Sequence, residues 1–183
     1  LATPRGVDRV NVQSAQEMQR AINAAMGDEL NLADVLVMAA AVSDFRPDTV
    51  ASSKIRKSDS DGRLQLNLAS NPDLLAAVGR ARGSRKWPVL IGFALETGDD
   101  AHVLAYARSK RIAKMVDLVV ANAAHESLGH TTNRIAIVGA AHPEAEAFVT
   151  GTKHELADCI LDHAVDRLAE ARADGGERAS SGS

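Results

Sequence analysis

The chain has 183 residues, of which 45% are hydrophobic, and a formal net charge of −3; that is ample for one domain with a real core, and it excludes a general binder of nucleic acid or membrane surfaces. Aromatic residues make up only 3%, too few for a base-stacking surface, so any anion site has to come from local clusters of charge. Cys159 is the single cysteine, which rules out an internal disulfide and points to a reducing cytoplasm.

No apolar run approaches the ~20 residues of a membrane span, and no charged segment precedes an apolar one as in a signal peptide. The chain opens on Leu1 without a Met and is expected to be a piece of something longer. "VDRVNVQ" (7–13) is expected to be a short strand with Val10 and Val12 on one face. Ser14 and Glu17 form a capping box for a helix that carries Met18, Ala21, Ile22 and Ala25 at helical spacing. "DVLVMAAAV" (34–42) has no polar face and predicts a parallel strand covered on both sides.

"LQLNL" (64–68) alternates and predicts a half-exposed strand on a side arm. "NPDLLAAVGRARG" predicts a helix with Asn71 at N-cap, Pro72 at N1 and Gly83 past its end. "PVLIGFALE" (88–96) reads as a second buried strand, followed by a helix from about Asp99 to Met115. "DLVVANA" (117–123) reads as a third. "NRIAIVG" and "EAEAFVT" suit a closing hairpin, and Thr152 with Glu155 opens a last helix through Leu156, Ile160, Ala164 and Leu168. Residues 174–183 predict a disordered tail. The pattern implies an α/β domain over 1–173 with a doubly wound parallel sheet, whose ligands belong beyond the carboxyl ends of its strands.

Three strand ends therefore matter. After the first, Ala39, Ala40 and Ala41 allow a flat ligand to approach the backbone, and Asp44 is suited to ribose hydroxyls or a cation; packing under a helix and a turn before Pro47 explain the same residues equally well. After the second, Phe93 is placed to flank a ligand, although singly it suits the core better, and Glu96 sits near the rim. After the third, Asn122 either bonds a ligand or forms an ordinary turn. Lys54, Arg56 and Lys57 lie on a polar loop, and Lys110 and Lys114 share one helix face. Cations from a loop and a helix suit a nucleotide triphosphate, though such residues usually only keep a surface wet. Arg80, Arg82, Arg85 and Lys86 are assigned that surface role. The N-terminus at "NPDLL" attracts anions, and Asp73 in its first turn is favourable there in any case. Neither a dinucleotide fingerprint nor a P-loop is present. His125 and His130 lack a third partner for a metal.

In order, "AAAVSDFRP", "KIRK", "NPDLL", "GFALET", "KRIAK" and "DLVVAN" resemble bacterial phosphopantothenoylcysteine synthetase, from about Val7 to Leu168. That enzyme is usually the C-terminal half of a bifunctional coenzyme A biosynthesis protein behind an FMN-dependent decarboxylase. The resemblance implies a Rossmann-like fold, a homodimer using the arm after Pro47, and a CTP-dependent ligase for 4′-phosphopantothenate and cysteine. FMN would belong only to the fused decarboxylase domain. By position it implies that Met38, Ala39, Ala40 and Asp44 line the nucleotide, while Pro72, Asp73, Leu74 and Leu75 recognise its base and sugar side. Phe93, Lys110 and Lys114 complete that set. Lys54, first of the family's Lys-x-Lys-Lys segment, would bind nucleotide and support the second half-reaction. Mg²⁺ would ride on the triphosphate, with no metal ligand assigned to the protein. Arg56 stands where the family has a Lys, and the two are not equivalent. The family's opening glycine-rich strand-turn-helix, with an Asn that stabilises the acyl-cytidylate, is absent from this sequence. Two other readings stay open: an NAD(P)-dependent Rossmann-type reductase, and a nucleotide-binding module without chemistry.

Overall fold

The structure is a computed structural model that describes residues 3–56, 63–123, 132–139 and 147–173. In chain order its elements are helix α1 (Ala15–Met26), strands β1 (Val35–Met38), β2 (Phe45–Pro47) and β3 (Leu68–Ser70), helix α2 (Leu74–Arg82), strand β4 (Val89–Glu96), helix α3 (Asp100–Lys114), strands β5 (Leu118–Ala123), β6 (Thr132–Val138) and β7 (Val149–Thr152), and helix α4 (Lys153–Ala173).

The apolar segments β1, β4 and β5 run parallel as their lack of a polar face requires. They begin a five-stranded sheet in the order β1-β4-β5-β6-β7. The α/β class holds, but the parallel pattern gives way at one edge, where β6 lies antiparallel to β5 and to β7; the hairpin forms as expected, but β7 begins at Val149, near the end of "EAEAFVT", and runs on to Thr152. Connections 124–131 and 139–148 are shorter than the dozen or so residues a parallel crossover needs. Alternate strand residues enter opposite layers. Leu90, Ala94, Val119 and Ala121 pack with Leu75, Val78, Val103 and Ala107 of α2 and α3, with Met18 and Ile22 of α1 against them. Val89, Ile91, Leu118 and Val120 meet Leu156 and Ala164 of α4.

Three expectations are corrected. Residues 7–13 form no strand, and Val7, Val10 and Val12 are exposed. Without a neighbouring strand they gain neither ladder bonds nor the about 1.5–3 kcal/mol that burying a Val contributes. The first central strand stops at Met38 instead of residue 42, because its pairing with β4 ends at Met38 opposite Gly92. The arm exists, with β2 antiparallel to β3, but pairing takes only the last residue of "LQLNL", and Leu64, Leu66 and Leu68 are all exposed.

Helix ends follow the side chains that satisfy their free N–H groups. The Ser14–Glu17 box forms as expected, and Thr152 and Glu155 bond reciprocally at the start of α4. At α2 the cap is Asp73, not Asn71: the Asp73 carboxylate accepts from the Ala76 N–H at 3.0 Å. Asn71 is drawn elsewhere, its side chain donating to the Ser43 carbonyl and its backbone N–H to the Asp44 carbonyl, each at 2.8 Å.

Arg82 is not a surface cation. It is 7% exposed and its guanidinium pairs with Asp117 while donating to the carbonyls of Pro88 and Met115. Asp117 in turn accepts from the Leu90 N–H at 2.7 Å. The end of α2 is thereby pinned to the starts of β4 and β5. Residues 174–183, along with Lys57, His125 and His130, lie outside the described residues.

Candidate functional site

Past the carboxyl end of β1 and beside Phe93 of β4 lies a cavity of about 180 Å³. Its floor is Met38 and Phe93, its walls are the Ala40–Asp44 segment and the first turn of α2, and Lys110 and Lys114 close one side. Small residues set this geometry. A Cβ at Gly92 would lie 2.7 Å from Leu75, so glycine lets α2 settle on β4. A Cβ at Gly79 would lie 2.0 Å from the Lys114 carbonyl oxygen, so any side chain there would part α2 from the end of α3 that carries both lysines. Asn71 braces the cavity's two walls through its bonds to Ser43 and Asp44.

Four charged side chains converge here: Asp44, Asp73, Lys110 and Lys114. Asp73 divides its carboxylate, one oxygen capping α2 and the other pairing with Lys114. Burial pushes the Asp73 carboxyl up, but the Lys114 hydrogen bond, the Ala76 N–H and the charges of Lys114 and Arg80 outweigh it and leave it below the ordinary carboxylate value. Lys110 is pulled below the usual lysine value by burial first and by the neighbouring Lys114 second, against the attraction of Asp73 and Asp44. Among the described residues Lys110 has no hydrogen-bond partner. A cation held at such expense is one an incoming anion would relieve.

Of the residues expected at the site, Met38, Ala40, Asp44, Pro72, Asp73, Leu74, Leu75, Phe93, Lys110 and Lys114 all line this one cavity. Ala39 is exposed and lines no part of it, and neither does Lys54, which is exposed on its loop. Glu96 bonds to Thr97 at the end of β4. Asn122 is half-buried at the end of β5 with its side-chain oxygen unpartnered among the described residues, outside the cavity. Sequence reasoning missed Asn71, read only as a helix cap, and Val42 and Ser43 as lining residues. For Val42 and Ser43 their position between "AAA" and Asp44 was the only signal. On the other side of the Ala40–Ser43 wall a second hollow of about 430 Å³ is bounded by Ser14, Met18, Phe45 and Arg46. Among the described residues no group of three or more His, Cys, Asp or Glu is placed to hold a metal, and no helix is long and apolar enough to cross a membrane.

Residues 1–168 match the family model described as the DNA/pantothenate metabolism flavoprotein C-terminal domain. The chain belongs to this family. Within it, the chain is similar to the coenzyme A biosynthesis bifunctional protein CoaBC of Mycobacterium bovis, 40% identical over 174 residues that cover 92% of this chain and 40% of that protein. The crystal structure of the C-terminal domain of CoaBC superposes with a TM-score of 0.67 at 26% identity, covering 93% of this chain and 70% of that one. A Cab2 mutant solved in complex with phosphopantothenate-cysteine shares the fold, with a TM-score of 0.65 at 21% identity, covering 91% and 54%. The chain spans less than half the length of the curated relatives it matches, 28% for CoaBC of Vibrio vulnificus and 40% for that of Mycobacterium bovis. The cavity opens past the end of β1, on the side of the sheet where this topology favours a ligand.

Proposed function

We propose that this chain is the ligase part of a coenzyme A biosynthesis protein, joining 4′-phosphopantothenate to cysteine at the expense of CTP. The observation that carries the reading is the convergence of Asp44, Asp73, Lys110 and Lys114 from three separate segments on one cavity. Membership of a family whose relatives bear coenzyme A biosynthesis names supports it.

In this reading the carboxylate of 4′-phosphopantothenate attacks the α-phosphate of CTP and expels pyrophosphate, leaving an acyl-cytidylate. The cysteine amine then attacks the acyl carbon and expels CMP. Lys110 and Lys114 stabilise charge on the phosphates, which is most of what catalysis at phosphorus asks of a protein. Asp44 has a carboxylate without a side-chain partner among the described residues, and it holds the ribose or the Mg²⁺ that accompanies the triphosphate. Mg²⁺ supplies charge neutralisation on phosphate oxygens and needs no protein cage. The hollow across the Ala40–Ser43 wall accommodates the acid. The loop bearing Lys54 closes over the phosphates and keeps water from the acyl intermediate. FMN chemistry belongs to a fused decarboxylase domain upstream, and the setting is cytoplasmic. A homodimer covers the apolar arm, where Phe45, Leu64, Leu66 and Leu68 are exposed. Sedimentation at micromolar concentration should therefore give a dimer, and a monomer throughout would remove that part of the reading.

Thermal shift of the full-length protein with CTP, ATP and NADPH, each with Mg²⁺, tests the nucleotide class. A gain with CTP is expected, and a gain with NADPH alone would sink the ligase in favour of a reductase. The same protein should release pyrophosphate from CTP when given phosphopantothenate. Lys54→Ala is expected to release it once and then stall before the cysteine step. Undiminished turnover would take Lys54 out of the mechanism.

A further inference from the structure

The pairing of Asp73 with Lys114 inside the cavity has no obvious use in a site built for a polyanion. Asp44 and Asp73 formally cancel Lys110 and Lys114, so the four groups together present no net charge to a triphosphate. Lys110 is free of hydrogen-bond partners among the described residues, whereas Lys114 is already held. Both members of the pair remain within reach of a ligand, with side chains 26% exposed for Lys114 and 43% for Asp73.

An anion alone pulls Lys114 away and leaves one Asp73 oxygen facing both a lost cation and a new negative charge. The capping bond to Ala76 keeps that carboxylate facing the ligand, with only part of it open to water. A ligand that carries phosphates for the lysines together with a hydroxyl donor for Asp73 repairs what it breaks. We infer that Asp73 is a specificity-determining residue: it exchanges Lys114 for a ligand hydroxyl and so admits nucleoside polyphosphates while rejecting bare inorganic polyphosphate. The inference rests on the nucleotide reading above. It also gives the site a reason not to retain pyrophosphate, since Lys114 returns to Asp73 when a ligand without hydroxyls is left behind.

The test is titration calorimetry of the full-length protein with CTP and with inorganic tripolyphosphate, for the unsubstituted chain and for Asp73→Asn. Asn caps a helix as well as Asp does; if the variant fails to melt cooperatively, Asp73→Ser replaces it. Tripolyphosphate should bind the variant about tenfold more tightly, the difference between a charged and a neutral hydrogen-bonding partner. CTP should change by less than about threefold, because it loses a good acceptor as it gains a freed lysine. Combined with Lys114→Met, the tripolyphosphate gain should vanish, since no held lysine is left to release. Equal gains for the two ligands, or the same tripolyphosphate gain with and without Lys114, would mean simple repulsion by Asp73 and would overturn the exchange. If no nucleoside triphosphate binds the unsubstituted chain and Asp73→Asn leaves tripolyphosphate unchanged, the nucleotide reading and the exchange fall together. Nucleotide binding with an unchanged preference in the variant overturns the exchange alone.

Discussion

Lys110→Ala is expected to lower kcat/KM for CTP by on the order of 10²–10³, the loss seen when one preorganised charge-stabilising group is removed from a reacting centre. Lys114→Ala should cost less in ground-state binding. The reason is in the pairing within the cavity: Lys114 already has Asp73, whereas Lys110 is half-buried, repelled by Lys114 and without a hydrogen-bond partner among the described residues. A phosphate that reaches Lys110 accepts hydrogen bonds from an ammonium that makes none among the described residues. One that reaches Lys114 has first to displace a carboxylate. Steady-state pyrophosphate release and calorimetry on the two variants check both halves of the argument. Wild-type kcat/KM in Lys110→Ala would remove Lys110 from the site, and a larger binding loss at Lys114 would reverse the proposed order.

Arg82→Met is expected to destabilise the fold by about 3–5 kcal/mol, the usual cost of breaking a buried ion pair from one side, and to lower the melting temperature by roughly 10 °C. The side chains of Arg82 and Asp117 are 6% and 10% exposed, so water cannot take over for the partner that is lost. The Pro88 and Met115 carbonyls lose their donors in the same step. Among the described residues Asp117 then retains the Leu90 N–H alone. Thermal denaturation measures the effect directly; a melting temperature within a degree or two of the unsubstituted chain would show that the network contributes nothing net. Because α2 runs from Arg82 back to Asp73, the same change is also expected to weaken nucleotide binding at temperatures where the protein is still folded.

Much of this site was legible before the fold was known, for a local reason. "MAAAVSD" and "NPDLL" each hold several cavity residues in a few consecutive positions, and Lys110 and Lys114 are neighbours on any helix. What could not be read locally was which of these side chains would be spoken for. Asp73 and Lys114 are 41 positions apart, and no periodicity announces an ion pair between the start of one helix and the end of another. Asn71 looked like a cap because Asn-Pro commonly opens a helix; its amide instead spans to Ser43, 28 positions earlier. Arg82 looked like any arginine on a helix, since its burial depends on where β4 and β5 begin.

Local patterns set the alternation of helix and buried strand, most of the caps and the side-chain types from which the cavity is made, because periodicity, capping and strand hydrophobicity are decided within a few residues of each other. Only the closed chain keeps residues 7–13 out of the sheet, turns the sheet's far edge antiparallel and pairs Asp73 with Lys114 across the cavity. Those outcomes depend on long-range partners, and a partner's distance and charge exist only once the chain has closed on itself.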